Sequence, residues 1–277
     1  MANLLEKVAL DIIAAIKNDS IVLPTLPEVA LRVRDIAEDI NCTIPQLAKV
    51  MAMDAALSAR VIKVANSPLV RSPQEVTDLG TAIARLGINF TANLAVGLAM
   101  EQMFQATTDV VDKRMRSLWS HSMEVASISH VLAQHYTKLQ PDQALLGGLV
   151  HKIGALPILA YAEDHGDLLS DAIALDKLIE KLHPKLGEHI LTAWKFPKEL
   201  RNVPGQYLKF DRVVDKVDYA DVVMVANLQS FLGTDHAYTK MDWNEITAFK
   251  RLGLAPNIEM SEALQLDEGE DIKGLLS

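Results

Sequence analysis

The stretch Ala144-Leu145-Leu146-Gly147-Gly148-Leu149-Val150-His151-Lys152-Ile153-Gly154 is where the fold of this chain can be read. It shows no alternation of apolar and polar residues. It reads as an apolar helix over 142–152 that delivers His151 at its C-terminal end. Upstream, Pro141 stops a long helical pattern running from about Val110 to Leu139, which carries His121 within Leu118-Trp119-Ser120-His121-Ser122. Downstream, helical spacing predicts elements over 155–163, 171–182, 184–194 and 212–232, with two short ones after Asp242 and after Pro256.

The first hundred residues have the same character. Apolar Val29, Val33, Ile36 and Ile40 recur at steps of four, three and four after Pro27, which suits a first helical position. Thr43 precedes Ile44-Pro45 as an N-cap, and Asp54 caps a helix over 55–65 whose stripe is Leu57, Val61 and Val64. Asn66-Ser67-Pro68 ends that helix, since the residue before a proline avoids the helical region. Thr77 to Leu86 reads as a helix closed by a left-handed Gly87, followed by another from Asn89 to Phe104. Met1 to Asp19 reads as an amphipathic helix rather than a signal peptide. Strand alternation, hairpin turns, repeats and low-complexity tracts do not appear, so the class is all-α.

The polar gap Ala106-Thr107-Thr108-Asp109 divides the chain into two helical lobes. Residues 1–106 form an N-terminal helical bundle, packed on a helical lobe of 107–277 that ends in an acidic tail from Glu259 to Asp271.

The chain has 277 residues, 49% apolar and 23% charged, which excludes disordered and fibrous classes. Its net charge is −9. A surface of that sign repels polyanions and anionic membranes. Ala84-Arg85-Leu86-Gly87-Ile88 superficially suggests a helix-turn-helix, but Ile88 to Phe104 holds no Lys or Arg to reach phosphates or base edges, so direct DNA binding is not expected. No run approaches 18 consecutive apolar residues, so no membrane span is expected, and the chain is placed in the cytoplasm. Cys42, the sole cysteine, suits a reducing compartment and reads as a small buried hydrophobe.

His121, His151 and a carboxylate in Tyr219-Ala220-Asp221-Val222 lie on three separate helices, which is how helical bundles assemble metal sites. Taken singly, each histidine is more readily a satisfied core residue. Asp221 could simply cap or pair a neighbour, and His183-Pro184 could be only a helix start with Pro184 at its first position. Trp119 and Trp194 read as core anchors. Met51, Met53, Met100 and Met103 read as core filling. Between Lys177 and Arg201 basic residues outnumber acids, with Lys181 and Lys185 beside His183.

Together these residues resemble the HD superfamily of metal-dependent phosphohydrolases: a His, then a His-Asp pair ending a helix, then a distant Asp. The sequence looks most like the HDOD branch, the HD-related output domains of bacterial signalling proteins. Leu23-Pro24-Thr25-Leu26-Pro27, Asp54 with Leu57, Val64-Ala65-Asn66-Ser67, Ala82-Ile83, Leu86-Gly87, His183-Pro184 with Gly187, and Trp194 with Pro197 stand as that family has them. The resemblance covers about residues 20 to 235. It implies His121, His151 and Asp221 as metal-ligand positions and His183 as an accessory histidine.

Lys152 stands where the family pattern has the bridging aspartate, and Gln206-Tyr207 falls near where many relatives carry a His pair. An ammonium donates only and carries the wrong sign for a divalent ion. At 4 Å and an effective dielectric of 20 the repulsion is about 8 kcal/mol. The expectation is therefore a bacterial signalling module with a degenerate, non-catalytic site, no confident catalytic residue and no cofactor, in which Lys152 sits near Asp221 in the place of the lost cation. Its partners are expected to be signalling proteins that supply the input or receive the output. Lys152, His183, Lys181 and Lys185 are candidates for ligand binding. One alternative is a phosphohydrolase of nucleotides or cyclic dinucleotides with a single divalent metal on His121, His151 and Asp221. The other is a nucleotide sensor that does not hydrolyse its ligand.

Overall fold

The computed structural model describes residues 14, 24–67 and 74–256, and every regular element among them is helical. In chain order the principal helices are α1 (Glu28–Ala37), α2 (Ile44–Met51), α3 (Ala55–Ala65), α4 (Leu79–Leu86), α5 (Ile88–Met100), α6 (Asp109–Tyr136), α7 (Pro141–Val150), α8 (Ala155–Glu163), α9 (Gly166–Ser170), α10 (Ala172–Ala193), α11 (Lys198–Arg201), α12 (Val203–Gln206), α13 (Tyr219–Gln229) and α14 (Thr247–Leu252). The N-terminal amphipathic segment, Pro68, the region after Pro256 and the acidic tail lie outside the described residues.

Local chemistry sets most of the boundaries. Asp54, Asp78, Asp171 and Asp218 each accept a backbone N–H in the first turn of the helix that follows. At α2 the Gln46 side chain accepts from both the backbone N–H and the hydroxyl of Thr43. Gly87 has positive φ (85°) but ψ of 152°, so it is not the left-handed C-cap expected. It instead closes α4 and opens α5 directly, and the two helices meet at 113°.

Four further expectations are corrected. The segments 171–182 and 184–194 are one continuous helix, α10, with Pro184 inside it. The missing N–H of Pro184 removes one intrahelical bond, but the turns on either side are held by burial of Leu178, Leu182, Leu186 and Ile190. The helix expected over 212–232 begins only at Tyr219, where Asp218 caps it. Cys42 is partly exposed in a turn rather than buried. Of the methionines, Met51 and Met100 fill the core, whereas Met53 is exposed.

Buried apolar residues from both halves of the chain form one cluster. Glycines let α7 sit at its centre. A Cβ on Gly148 would lie 2.4 Å from the Ala126 Cα on α6, and one on Gly97 of α5 would meet Leu149 Cδ1 at 2.4 Å. Trp194 ties the C-terminal part of the chain to its N-terminal part: its indole N–H donates to the Pro24 carbonyl at 3.0 Å, and its own carbonyl accepts from Arg34 at 2.6 Å. Pro141–Glu163 is long and apolar enough to cross a membrane, but most of it is buried inside the protein, as a core helix pair would be.

Candidate functional site

The close approach of α7 to the Ala126 backbone brings the C-terminal end of α7 beside the earlier turns of α6. The His121 and His151 rings consequently lie 5.5 Å apart, centroid to centroid. A second glycine contact adds the third histidine. A Cβ on Gly154 would stand 2.1 Å from the His183 carbonyl oxygen and 2.5 Å from the Gly187 N, so the turn carrying His151 and Lys152 rests on the backbone of α10. Gly187 in turn receives Pro204 of α12, the helix that leads into Tyr207.

Hydrogen bonds define the ring orientations. His151 Nδ1–H donates to the Gly148 carbonyl at 2.6 Å and His183 Nδ1–H to the Ile179 carbonyl at 2.7 Å, which leaves Nε2 of each neutral ring as an acceptor. Tyr207, fully buried, donates its hydroxyl to His183 Nε2 at 2.7 Å and packs edge-on to His151 at 4.9 Å. The buried His151 Nε2 has no hydrogen-bond partner among the described residues. His121 Nε2 lies 3.1 Å from Asn227 Oδ1 and donates to it.

Burial, and next the Lys152 charge, hold the His151 imidazole well below its usual range. Burial pushes His183 down to about 4 and also lowers His236. The Tyr207 phenol is raised well above 10, and Tyr238 is pushed up to about 12, again chiefly by burial. Burial lowers Lys152 to about 8, partly offset by Glu180.

Except for the fully buried His151, which stands behind the wall, these groups border a cavity of about 620 Å³, within the range of small-molecule sites. His121, Lys152, His183, Tyr207 and Asn227 line it, with Phe231, His236 and Tyr238 forming an aromatic wall and Arg114, Asp176 and Glu180 also facing it. The Lys152 ammonium lies 5.9 Å from the centre of the Phe231 ring.

Asp221 is not among the lining residues. It is completely buried and clasped by two arginines: Arg212 Nη1 donates to Oδ1 at 2.8 Å, while Arg251 donates from Nη2 to Oδ1 at 2.6 Å and from Nε to Oδ2 at 2.8 Å. The expected proximity of Lys152 and Asp221 is therefore corrected, since Lys152 faces the cavity and Asp221 faces the guanidinium groups. Lys181 and Lys185 are exposed on α10 and do not line the cavity. The α13 residue that does reach it is Asn227, six positions beyond Asp221 and so about 120° away around the helix.

Sequence reasoning missed Asn227, Tyr207 and the Phe231-to-Tyr238 wall. The one available signal for Asn227 was that Val225-Ala226-Asn227 repeats the Ala-then-polar pattern of Tyr219-Ala220-Asp221 on the same helix.

The donor set does not fit a divalent metal. Among the described residues no three His, Cys, Asp or Glu side chains converge as ligands. Asp221 already has two cationic partners, the amide oxygen of Asn227 is taken by His121, and an ammonium lines the same space.

The chain belongs to the HDOD family, whose HDOD domain model matches residues 23–206. In its fold it is similar to a crystal structure from Shewanella amazonensis SB2B described as a "Putative metal-dependent phosphohydrolase", with 31% identity, a TM-score of 0.85 and full coverage of both chains. It is also similar to an HDOD domain protein of unknown function from Geobacter sulfurreducens, at 18% identity and a TM-score of 0.69, over 100% of this chain and 98% of that one. A curated "Uncharacterized protein" of Treponema pallidum (strain Nichols) is 22% identical over 73% of this chain. The chain spans 42% of that relative's length.

Proposed function

We propose that this HDOD chain is a cytoplasmic regulatory module of bacterial signal transduction, whose HD-derived cavity senses a small ligand without hydrolysing it and passes its occupancy on through protein contacts. The observation that carries this reading is the charge arrangement around His121 and His151. An ammonium (Lys152) and a carboxamide (Asn227) stand beside them, while the nearby buried carboxylate is neutralised by Arg212 and Arg251. Metal-dependent phosphoester hydrolysis needs a cation to polarise the phosphoryl oxygen and to lower the pKa of bound water. The hydrogen-bonding histidines and the cationic lysine on the cavity wall suit recognition instead.

The second reading is a phosphohydrolase, favoured by the words used for the Shewanella amazonensis relative. Elemental analysis after incubation with Mn²⁺, Fe²⁺ and Zn²⁺, together with turnover of bis-p-nitrophenyl phosphate, separates the two. Regulation without hydrolysis is expected to give substoichiometric metal and no release above the blank. Stoichiometric metal with turnover that is lost in His121→Ala would establish the enzyme instead.

A further inference from the structure

Two donors on residues that line the cavity have no acceptor among the described residues. No carboxylate among the described residues lies within ion-pairing distance of the Lys152 ammonium, whose one close neighbour of note is the face of Phe231. The Asn227 carboxamide is committed at its oxygen to His121, so its buried Nδ2 has no acceptor. A buried donor left unpaired, as Asn227 Nδ2 is, costs about 1–3 kcal/mol, and the Lys152 ammonium, partly exposed on the wall, is free to take acceptor oxygens from a ligand.

The charge of the lining limits what can bring them. Arg114 is paired with Asp176 at 2.6 Å, and among the described residues the other lysine, arginine or carboxylate side chains on the wall are Lys152 and Glu180. One negative charge finds Lys152. A second meets Asp176 and Glu180, and a phosphate monoester carries close to two at neutral pH.

The remaining wall is apolar and flat. Phe231 and His236 stack at 3.8 Å with 16° between their planes, Tyr238 stands edge-on to Phe231 at 5.6 Å, and Leu118, Leu159 and Leu208 complete the surface. Offset stacking on such a face favours a planar ring.

We infer that the cavity binds a small aromatic monocarboxylate, with its carboxylate held by Lys152 and its ring against the Phe231–His236 stack. The inference rests on the non-hydrolytic reading of the same cavity.

Three probes sharing one ring system test it by calorimetry on the full chain: 2-naphthoate (one charge), 2-naphthamide (none) and 2-naphthyl phosphate (close to two). Naphthoate is expected to bind about tenfold more tightly than either of the others. Lys152→Met is expected to bring it down to the level of the amide. Glu180→Gln, an exposed position, is expected to tighten naphthoate and the phosphate several-fold and to leave the amide unchanged, which keeps the test informative should Lys152→Met not fold. Naphthoate binding no tighter than the amide, a phosphate that binds as well as naphthoate, or a preference for naphthoate that survives in Lys152→Met would overturn the inference. Release of 2-naphthol from the phosphate would instead overturn the non-hydrolytic reading beneath it, so the two failures are distinguishable.

Discussion

Arg251 holds Asp221 in a bidentate grip, Nε to Oδ2 at 2.8 Å and Nη2 to Oδ1 at 2.6 Å, and so joins the first turn of α13 to α14. Arg212 completes the clasp from the segment before α13, where it also binds Asp218 through both terminal nitrogens at 2.6 Å. Burial pulls Asp218 upward, but the Arg212 hydrogen bonds and charge, together with the backbone N–H groups of Asp221 and Ala220, hold it below its ordinary range. The carboxylate that looked like a metal ligand is a structural tie.

Breaking that tie leaves the Arg251 guanidinium without its carboxylate, while Arg212 keeps Asp218 but loses its second one. Asp221→Ala is expected to destabilise the protein by about 3–5 kcal/mol, the usual cost of stranding buried charge. The check is the urea midpoint, which should fall strongly while bound metal content stays unchanged. A small shift would mean that the arginines find water without cost.

Metal binding is expected to return only when the charge beside the histidines is reversed. Lys152→Asp alone supplies one carboxylate. Combined with Asn227→Asp it places two next to His121 and His151, and the double variant is expected to take up Zn²⁺ or Mn²⁺ stoichiometrically by elemental analysis while the single variant does not. Equal uptake by both would show that the amide at position 227 is no obstacle.

Among the described residues the Tyr207 hydroxyl is the one donor to His183 Nε2, in a buried pair. Tyr207→Phe keeps the ring and strands that acceptor, at an expected cost of about 1–3 kcal/mol. Tyr238→Phe, on the more exposed wall of the cavity, is expected to cost under about 0.5 kcal/mol. Paired chemical denaturation curves with equal slopes measure the difference.

His183 also makes stability depend on pH. Its folded pKa, pushed down to about 4 by burial, lies below the unfolded value near 6.5. Between these the unfolded chain binds more protons, so stability falls as pH drops below 6.5 and levels off near 4. The loss amounts to about 3 kcal/mol from this residue. His183→Gln is expected to flatten that part of the stability curve, and an unchanged slope would assign the acid sensitivity elsewhere.

Gly148→Ala tests how α7 is seated. The added methyl would fall 2.4 Å from Ala126 Cα and 2.7 Å from its N, both backbone atoms that cannot swing away. Helix separation is expected to cost at least about 3 kcal/mol and to widen the gap between His121 and His151. Thermal unfolding reads the first effect, and loss of naphthoate binding reads the second.

The sequence by itself determined the helices, because their signals are local. The stripe Val29, Val33 and Ile36 and the caps Asp54 and Thr43 act through neighbours a few residues away. Resemblance to the HDOD family further singled out His121, His151 and Asp221, with His183 as an accessory, and the fold brings the three histidines together while it leaves Asp221 away from the cavity; the same resemblance marked Lys152 as standing where the family pattern has an aspartate. Tertiary structure alone decided which α13 residue meets them. Asp221 and Asn227 share one helix but face different ways, and the choice between them depends on Arg251, thirty residues further along, and on how deeply Gly148 lets α7 settle against α6. Pro184 makes the same point in reverse: its local preference was to start a helix, and burial of the turns on both sides kept that helix continuous.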